Sequence, residues 1–232
     1  MKNLNRYSII SDKFPREMLL LVGTGCKWKK CTFCDYYHDT SANPFEINKE
    51  VISKVTGKFG VLDIINSGSC FELDYDTLSL IKKIAKVKKI HTIWFECHWM
   101  YKDNLEKMRQ FFDGIKVKFR IGVETFDSKL RIKWQKGVPE KVTPKDIAEK
   151  FDGVSLLFGI KGQTEHTLLN DLKYAEKYFE YYNLNIFNKN STNTEVDEKL
   201  VIWFKNEIYP KLKNHTKVEI LINNTDLGIG NI

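Results

Sequence analysis

Three cysteines lie within nine residues near the start of this sequence. Cys26, Cys31 and Cys34 occur in the stretch GTGCKWKKCTFCDYY, which follows the apolar run MLLLV. Clustered thiols usually bind metal or do redox chemistry when disulfides are disfavoured. A structural zinc ion takes four ligands, so zinc would need a fourth from His38, Cys70 or Cys97. An iron–sulfur cluster held by three cysteines would leave one iron open to bind another molecule.

The composition indicates one large domain with a substantial core. The chain has 232 residues, of which 42% are hydrophobic, and no apolar run is long enough to cross a bilayer. The first residues, MKNLNRYSII, do not resemble a signal peptide, and an odd number of cysteines argues against a disulfide framework. We expect a single domain over residues 1–232 in a cytoplasmic protein that does not bind a membrane.

The chain is basic, with a net charge of +7 and a pI of about 9.0. Such a charge makes an anionic partner such as RNA conceivable. The lysines are scattered through amphipathic stretches such as LSLIKKIAKVKKI, which is typical of a solvated surface. A nucleic-acid partner is therefore possible but not favoured.

Short runs of β-forming residues alternate with stretches of helical period along the whole chain. Strands that are each separated by one helix indicate βα units and a parallel sheet. About six such units fit, fewer than the eight of a closed barrel. We therefore predict an α/β fold, a partial (βα)6 TIM-type barrel of parallel strands. The predicted strands are REMLLLV, VLDIINSG, HTIWFEC, VKFRIGVE, GVSLLFGI, NLNIF and KVEILI.

The cysteine loop, residues 23–39, resembles the cluster loop of the radical S-adenosylmethionine (SAM) superfamily. The common spacing there is CxxxCxxC, and this sequence has one more residue between its first two cysteines. The resemblance implies that Cys26, Cys31 and Cys34 hold a four-iron, four-sulfur cluster whose open iron binds SAM. It also implies that Phe33 and Tyr36 face the adenine of SAM.

Two further segments resemble SAM-binding parts of that superfamily. GIKGQTE is similar to a GxxGxxE segment whose backbone packs against adenine, with Gly159 and Gly162 allowing a close approach; a plain helix-capping turn is the alternative. NSGSC stands where the family holds the SAM amino group, which implies contacts from Ser67, Gly68 and Ser69.

The end of the fourth predicted strand, GVETFD, supplies the remaining SAM candidates. The resemblance implies that Glu124 binds the ribose or the methionine amine and that Arg131 meets the carboxylate. An exposed helical arginine is the alternative for Arg131.

Substrate candidates follow two other strands. In WFECHWMY, Glu96 and His98 should share one face, where they could hydrogen-bond a polar ring, and Cys97 the other. If Cys97 faces the substrate, its thiol could return a hydrogen atom to a product radical; a small core residue is the alternative. Together Cys97, Glu96 and His98 are our catalytic candidates.

The C-terminal segment, residues 217–232, ends in INNTDLGIGNI. Its glycines predict an ordered turn that packs over the open mouth of the barrel, and a frayed tail is the alternative. Asp226 could then accept two hydrogen bonds from an edge like that of guanine. Asn66 and His98 are candidates for the hydroxyls of the same substrate.

Among radical SAM enzymes, the sequence looks most like the small queuine lyases of queuosine salvage. That resemblance implies a 7-deazaguanine base as substrate, a carbon–nitrogen bond cleavage, and an electron donor such as flavodoxin or ferredoxin. Two alternatives stay open. One is a radical SAM enzyme that modifies tRNA or another small metabolite, and the other is a zinc-stabilised RNA-binding module without catalysis.

Overall fold

The computed structural model describes residues 4–231 and, for residue 231, the backbone alone. Ten β-strands lie within this range. In chain order they are β1 (Leu4–Asn5), β2 (Tyr7–Ile10), β3 (Arg16–Leu21), β4 (Val61–Asn66), β5 (Thr92–Glu96), β6 (Lys116–Glu124), β7 (Gly153–Phe158), β8 (Tyr181–Ile186), β9 (Val218–Leu221) and β10 (Gly230–Asn231).

Eight α-helices lie in the same described range. They are α1 (Pro44–Ser53), α2 (Tyr75–Val87), α3 (Leu105–Phe111), α4 (Ser128–Lys133), α5 (Pro144–Ala148), α6 (Glu165–Tyr178), α7 (Glu198–Trp203) and α8 (Tyr209–Leu212). Single 3₁₀ turns occur at Tyr36–His38, Cys70–Glu72 and Trp99–Tyr101, and a π-helical turn, Phe204–Ile208, joins α7 to α8. No helix between residues 4 and 231 combines the length and the apolar character needed to cross a membrane.

Within the described residues, strands β2 to β9 form one sheet in which they follow each other in chain order. The pairs β3–β4, β4–β5, β6–β7, β7–β8 and β8–β9 are parallel. Strands β3 to β9 correspond to the seven strands predicted from the sequence. The antiparallel β2 at the edge of the sheet was not predicted, because its four residues YSII are only partly buried and carry little periodic signal.

The end of helix α6 differs from the sequence-based prediction. The helical period of EHTLLNDLKYAEKYFEYY predicts a helix through Tyr182, but α6 ends at Tyr178 and Phe179 is already extended. Tyr181 and Tyr182 instead begin β8, where they are 6% and 2% exposed. Aromatic residues favour strands, and burial within the sheet outweighs the local helical period.

The described residues group into two compact units. The first comprises residues 4–29, 36–119 and 225–231, and the second residues 30–35 and 120–224. In the first unit, Asn48 of α1 is completely buried and bonds both the N–H and the C=O of Val22, each at 2.8 Å. Its amide also donates to Thr77 of α2 at 3.1 Å. Asn48 thereby holds α1 and α2 against the end of β3, where the chain enters the cysteine loop.

The second unit has its own apolar core between the strands and helices that follow β6. Phe158 of β7, Leu184 of β8 and Phe204 are completely buried, and the rings of Phe158 and Phe204 lie 5.7 Å apart. Thr164 caps α6 by accepting a hydrogen bond from the N–H of Thr167 at 3.2 Å. This cap starts α6 directly after the Gly159–Gln163 turn, so the turn stays at the carboxyl end of β7.

Candidate active site

The three loop cysteines are all half-buried, and none forms a disulfide. Cys26 belongs to the first unit, where the backbone N–H of Lys29 approaches its Sγ at 3.4 Å. In iron–sulfur sites, hydrogen bonds to the cysteine sulfurs help to set the properties of the cluster. Lys29 has φ +47°, a left-handed conformation that turns the chain back toward Cys26.

Cys31 and Cys34 belong to the second unit and pack against an apolar cluster. This cluster consists of Phe33, Trp134, Ile160 and Phe187, all less than 9% exposed. The N–H of Thr32 donates to the carbonyl of Trp134 at 3.1 Å, and the thiol of Cys31 lies 3.9 Å from the carbonyl of Gln135. The segment after α4 therefore supports these two thiols in an apolar setting.

Three half-buried thiols, one next to a backbone N–H and two against an apolar surface, fit the ligands of an iron–sulfur cluster. Zinc would need a fourth ligand beside these three. Among the side chains of residues 4–230, no three His, Cys, Asp or Glu are grouped so that they could hold one metal ion.

Glu72 organises the loop around Cys26. Its carboxylate, 5% exposed, accepts hydrogen bonds from the N–H of Lys27 at 3.0 Å, the N–H of Ser69 at 2.9 Å and the hydroxyl of Tyr101 at 2.9 Å. Burial raises the pKa of Tyr101, and the bond to Glu72 raises it further, so the phenol keeps its proton. Glu72 therefore has a positioning role, which follows from its contacts with Lys27, Ser69 and Tyr101.

Gly68 is required by close packing at the same place. A Cβ atom on Gly68 would lie 1.9 Å from Oε2 of Glu72 and 3.1 Å from Cα of Cys26. Any larger residue would displace the carboxylate or the cysteine backbone. Gly68, predicted to approach SAM, thus lies against the cysteine loop.

The end of β4 carries buried oxygen atoms that lack hydrogen-bond partners. Asn66 donates to the carbonyl of Ser69 at 3.2 Å, but its Oδ1 and the Oγ of Ser67 have no partner within the described residues. Both side chains are less than 10% exposed. Orphaned buried oxygens are costly, so they indicate a place where a polar ligand or water binds.

Glu96, Cys97 and His98 alternate as predicted. Cys97 is 2% exposed, whereas Glu96 and His98 are half-buried. Cys97 lies beside Cys70, and the pKa of Cys70 is raised first by burial and then by the hydrogen bond between the two thiols. His98 stacks on Trp28 of the cysteine loop, with ring centroids 5.1 Å apart.

Glu124 forms a close ion pair with Lys136, a residue that sequence reasoning missed. Lys136 Nζ lies 2.6 Å from Glu124 Oε1, and both side chains are about nine-tenths buried. Glu124 has φ +68° at a register shift of β6, and a Cβ on Gly122 would lie 2.8 Å from its carboxylate. The backbone distortion therefore turns this carboxylate toward Lys136.

Lys136 also lies close to the cysteines of the second unit. Its Nζ is 5.7 Å from the centre of the Phe33 ring. Burial lowers the pKa of Lys136, but Glu124, Cys31 and Cys34 together outweigh burial and raise it, so the side chain is a permanent cation. The only sequence signal for Lys136 was its position shortly after α4.

Arg131 is far more buried than an exposed helical residue would be. It is 1% exposed and donates to the carbonyl of Val142 at 2.9 Å. Burial lowers the pKa of Arg131, and Asp171 and Asp127 oppose that effect. Its Nε and one terminal nitrogen have no hydrogen-bond partner within the described residues.

The GIKGQTE segment adopts the conformation that its glycines suggested. Gly159 and Gly162 have φ +94° and +98°, which other residues rarely adopt. Gln163, which sequence reasoning did not single out, bonds the N–H of Ile160 and the carbonyl of Leu157, both at 2.9 Å. Its side chain thereby closes the turn after β7.

The remaining predicted residues differ in exposure. Phe33 is buried, but Tyr36 is 60% exposed, and Asp226 is also exposed. The segment that carries Asp226 is ordered: the N–H of Gly228 donates to Thr225, the Asn5 side chain donates to Gly228, and β10 pairs with β1. Ile232, the last residue of the predicted cap, lies outside the described residues.

Comparison with known proteins identifies the class. The radical SAM superfamily matches residues 20–175, and the chain belongs to it. A solved structure, queuine lyase from Clostridium spiroforme bound to SAM and queuine, matches with a TM-score of 0.94 and 39% sequence identity over 99% of this chain and 100% of that one. No curated protein sequence matches significantly.

These matches confirm three predictions. The chain is a radical SAM enzyme of the queuine lyase type, its fold is the predicted α/β partial barrel, and its superfamily uses a four-iron, four-sulfur cluster with SAM.

Proposed function

We propose that this chain cleaves queuine to 7-aminomethyl-7-deazaguanine. The observation that carries the proposal is the match over nearly the whole chain, at 39% identity, to a queuine lyase bound to SAM and queuine. When bound, the cluster and SAM supply a 5′-deoxyadenosyl radical, which removes a hydrogen atom from the substrate. The protein then has to place the substrate, exclude water and supply the correct polar contacts.

Cys26, Cys31 and Cys34 are the proposed cluster ligands. Their thiols are half-buried and free of disulfides, and each has a supporting contact within its own unit. The bonds of Glu72 to Lys27 and Ser69 keep the first part of the loop in place.

The proposed SAM contacts fall into three groups. The turn at Gly159 and Gly162, together with Phe33 and Tyr36, would receive the adenine. Glu124 and Lys136 would place a carboxylate and a cation near the ribose and the methionine group, and Arg131 is a second candidate cation. The orphaned oxygens of Asn66 and Ser67 support a polar ligand at the end of β4, beside Gly68 and Ser69.

For the substrate, Glu96 and His98 remain our candidates for polar contacts and Cys97 for hydrogen-atom return. Cys97 is a free thiol, 2% exposed, that lies beside the buried Cys70, which favours its alternative as a core residue. Asp226 is the sequence-based candidate for the base. A small electron-transfer protein such as flavodoxin or ferredoxin is the proposed reductant, and the reducing conditions that thiols need support a cytoplasmic location.

The test is anaerobic incubation of the reconstituted protein with SAM, dithionite and queuine, followed by mass spectrometry. We expect 7-aminomethyl-7-deazaguanine and 5′-deoxyadenosine, and neither product in a matched Cys31→Ala preparation. Formation of 5′-deoxyadenosine with another substrate while queuine stays intact would contradict the proposal. A parallel reaction with queuosine-containing tRNA tests whether tRNA is the substrate instead of the free base. The net charge of +7 is the argument for that alternative.

A further inference from the structure

Three polar side chains lie in register across neighbouring strands of the second unit. Ser155 of β7 is directly opposite Asn183 of β8, and Asn183 is directly opposite Glu219 of β9. Residues directly opposite each other in a sheet project from the same face. Ser155, Asn183 and Glu219, which we call the polar row, are only 4%, 6% and 7% exposed.

Two oxygen atoms of the polar row have no hydrogen-bond partner within the described residues, the Oγ of Ser155 and the Oδ1 of Asn183. The amide nitrogen of Asn183 already donates to Asn185 at 3.1 Å, which leaves its oxygen as an acceptor. Glu219 accepts from the hydroxyl of Tyr181 at 2.8 Å. A carboxylate has about four lone-pair sites, so it can hold a ligand beside its bonds to the protein.

Folding alone does not explain the orphaned oxygens of Ser155 and Asn183. On the opposite face of the same strands, the buried residues Val154, Leu156 and Leu184 are apolar and leave no polar side-chain atom unsatisfied. An unsatisfied buried polar group costs about 1–3 kcal/mol, and an apolar residue at Ser155 or Asn183 would avoid it. Adjacent orphaned oxygens therefore point to a polar ligand that satisfies them.

The polar row is continuous with the part of the second unit that holds the loop cysteines. Leu157 lies on the same face two residues beyond Ser155, about 7 Å further along the strand. Leu157, Cys31 and Cys34 all pack against the Phe33–Trp134 cluster. A ligand bound to the polar row would thus lie on the same face of β7 as Leu157, which packs against the cluster that also contacts these thiols.

We propose that the polar row binds the hydrogen-bonding edge of the substrate's aminopyrimidinone ring. This inference rests on the proposed function. The edge presents a carbonyl, an N–H and an NH₂ in that order, which matches the order hydroxyl, amide oxygen and carboxylate along Ser155, Asn183 and Glu219.

The polar row and Asp226 are competing sites for the same edge. Asp226 is exposed, whereas Glu219 is a buried carboxylate only seven positions earlier. Hydrogen bonds discriminate strongly only where water is excluded, because a lost bond is then not replaced. The polar row is the site that meets this condition.

The first test measures queuine affinity by calorimetry, with the anaerobic holoenzyme saturated with SAM. Ser155→Ala and Asn183→Leu should weaken queuine binding about 5- to 10-fold, while SAM affinity and iron content stay unchanged. Because each substitution removes an orphaned oxygen, the melting temperature should stay the same or rise. Unchanged queuine affinity in both variants overturns the inference, as does a parallel loss of stability and SAM binding, which would show a purely structural role.

The second test varies the ligand instead of the protein. Wild type should bind 7-deazaguanine more tightly than 7-deazahypoxanthine, which lacks the NH₂ group, and Glu219→Gln should shrink this preference. If Asp226→Asn abolishes the preference and Glu219→Gln retains it, the base lies at Asp226 and the inference is wrong. Failure of the proposed function is a separate result, because the wild-type enzyme would then not turn over queuine at all.

Discussion

Lys136 and Glu124 form an ion pair of 2.6 Å in which both side chains are about nine-tenths buried. Breaking such a pair by removing one partner leaves an uncompensated buried charge, which is strongly unfavourable. The backbone supports the pair, since Glu124 has φ +68° and the adjacent Gly122 leaves room for the carboxylate. A strained residue that holds a buried ion pair at the end of a parallel strand is consistent with the proposed role of Glu124 in SAM binding.

Glu124 should contribute to SAM binding. We expect Glu124→Gln to weaken SAM binding about tenfold, equivalent to about 1.4 kcal/mol, because a charged acceptor at the end of β6 is lost. Iron and sulfide content should stay normal, and calorimetry on the reconstituted protein measures the effect. Glu149→Gln, at an exposed position of the same unit, is the matched control.

Loss of the Glu124 carboxylate beside Lys136 in Glu124→Gln could disturb the fold. The double variant Glu124→Gln/Lys136→Met therefore tests the same point without the buried lysine charge. If both variants bind SAM with wild-type affinity, the role of Glu124 is structural and it does not contact SAM.

Lys136 should raise the reduction potential of the cluster. Its Nζ lies 5.7 Å from the centre of the Phe33 ring, and Phe33 stands between Cys31 and Cys34 in the chain. Reduction adds negative charge, which a neighbouring cation stabilises. Lys136→Met should therefore shift the potential to more negative values by some tens of millivolts in an anaerobic titration monitored by electron paramagnetic resonance without SAM.

Lys141→Met removes the same charge from an exposed position and should leave the potential nearly unchanged. Equal potentials in wild type and Lys136→Met would show that the cation acts only on Glu124.

The cluster should depend on the loop cysteines alone. Alanine at Cys26, Cys31 or Cys34 should abolish bound iron and sulfide, because each removes one ligand from a cluster that has three. Cys70→Ala and Cys97→Ala should retain it, since both are free, buried thiols outside the cysteine loop. Anaerobic iron and sulfide analysis measures this, and a cluster lost from Cys70→Ala but kept in Cys31→Ala would refute the assignment.

Asp171 should make stability depend on pH. Burial raises the pKa of Asp171 from 3.8 to about 7. Between these values the folded chain holds a proton that the unfolded chain has released, so this contribution to stability is lost as pH rises through about 7. We expect the melting temperature of wild type to fall from about pH 6 to about pH 8 more than that of Asp171→Asn, which keeps an acceptor for the N–H of Phe126. Parallel curves for the two proteins would contradict the assignment.

The sequence by itself determined the parallel α/β fold and the class of enzyme. Hydrophobic periodicity is a local signal, and the cysteine and glycine spacings are read within one loop each, so none of them needs distant contacts. The seven predicted parallel strands, β3 to β9, and the left-handed glycines at 159 and 162 follow from such local patterns.

Only the tertiary structure showed which side chains from distant segments meet. Lys136 pairs with Glu124 across twelve residues, Glu72 reaches Lys27 across forty-five, and Ser155, Asn183 and Glu219 align through strand register. Burial also depends on the whole fold. Arg131 is buried, although its position on a helix was equally compatible with exposure. Asp226, by contrast, is exposed. Strand register and burial arise from packing between segments far apart in sequence, and no local pattern encodes them.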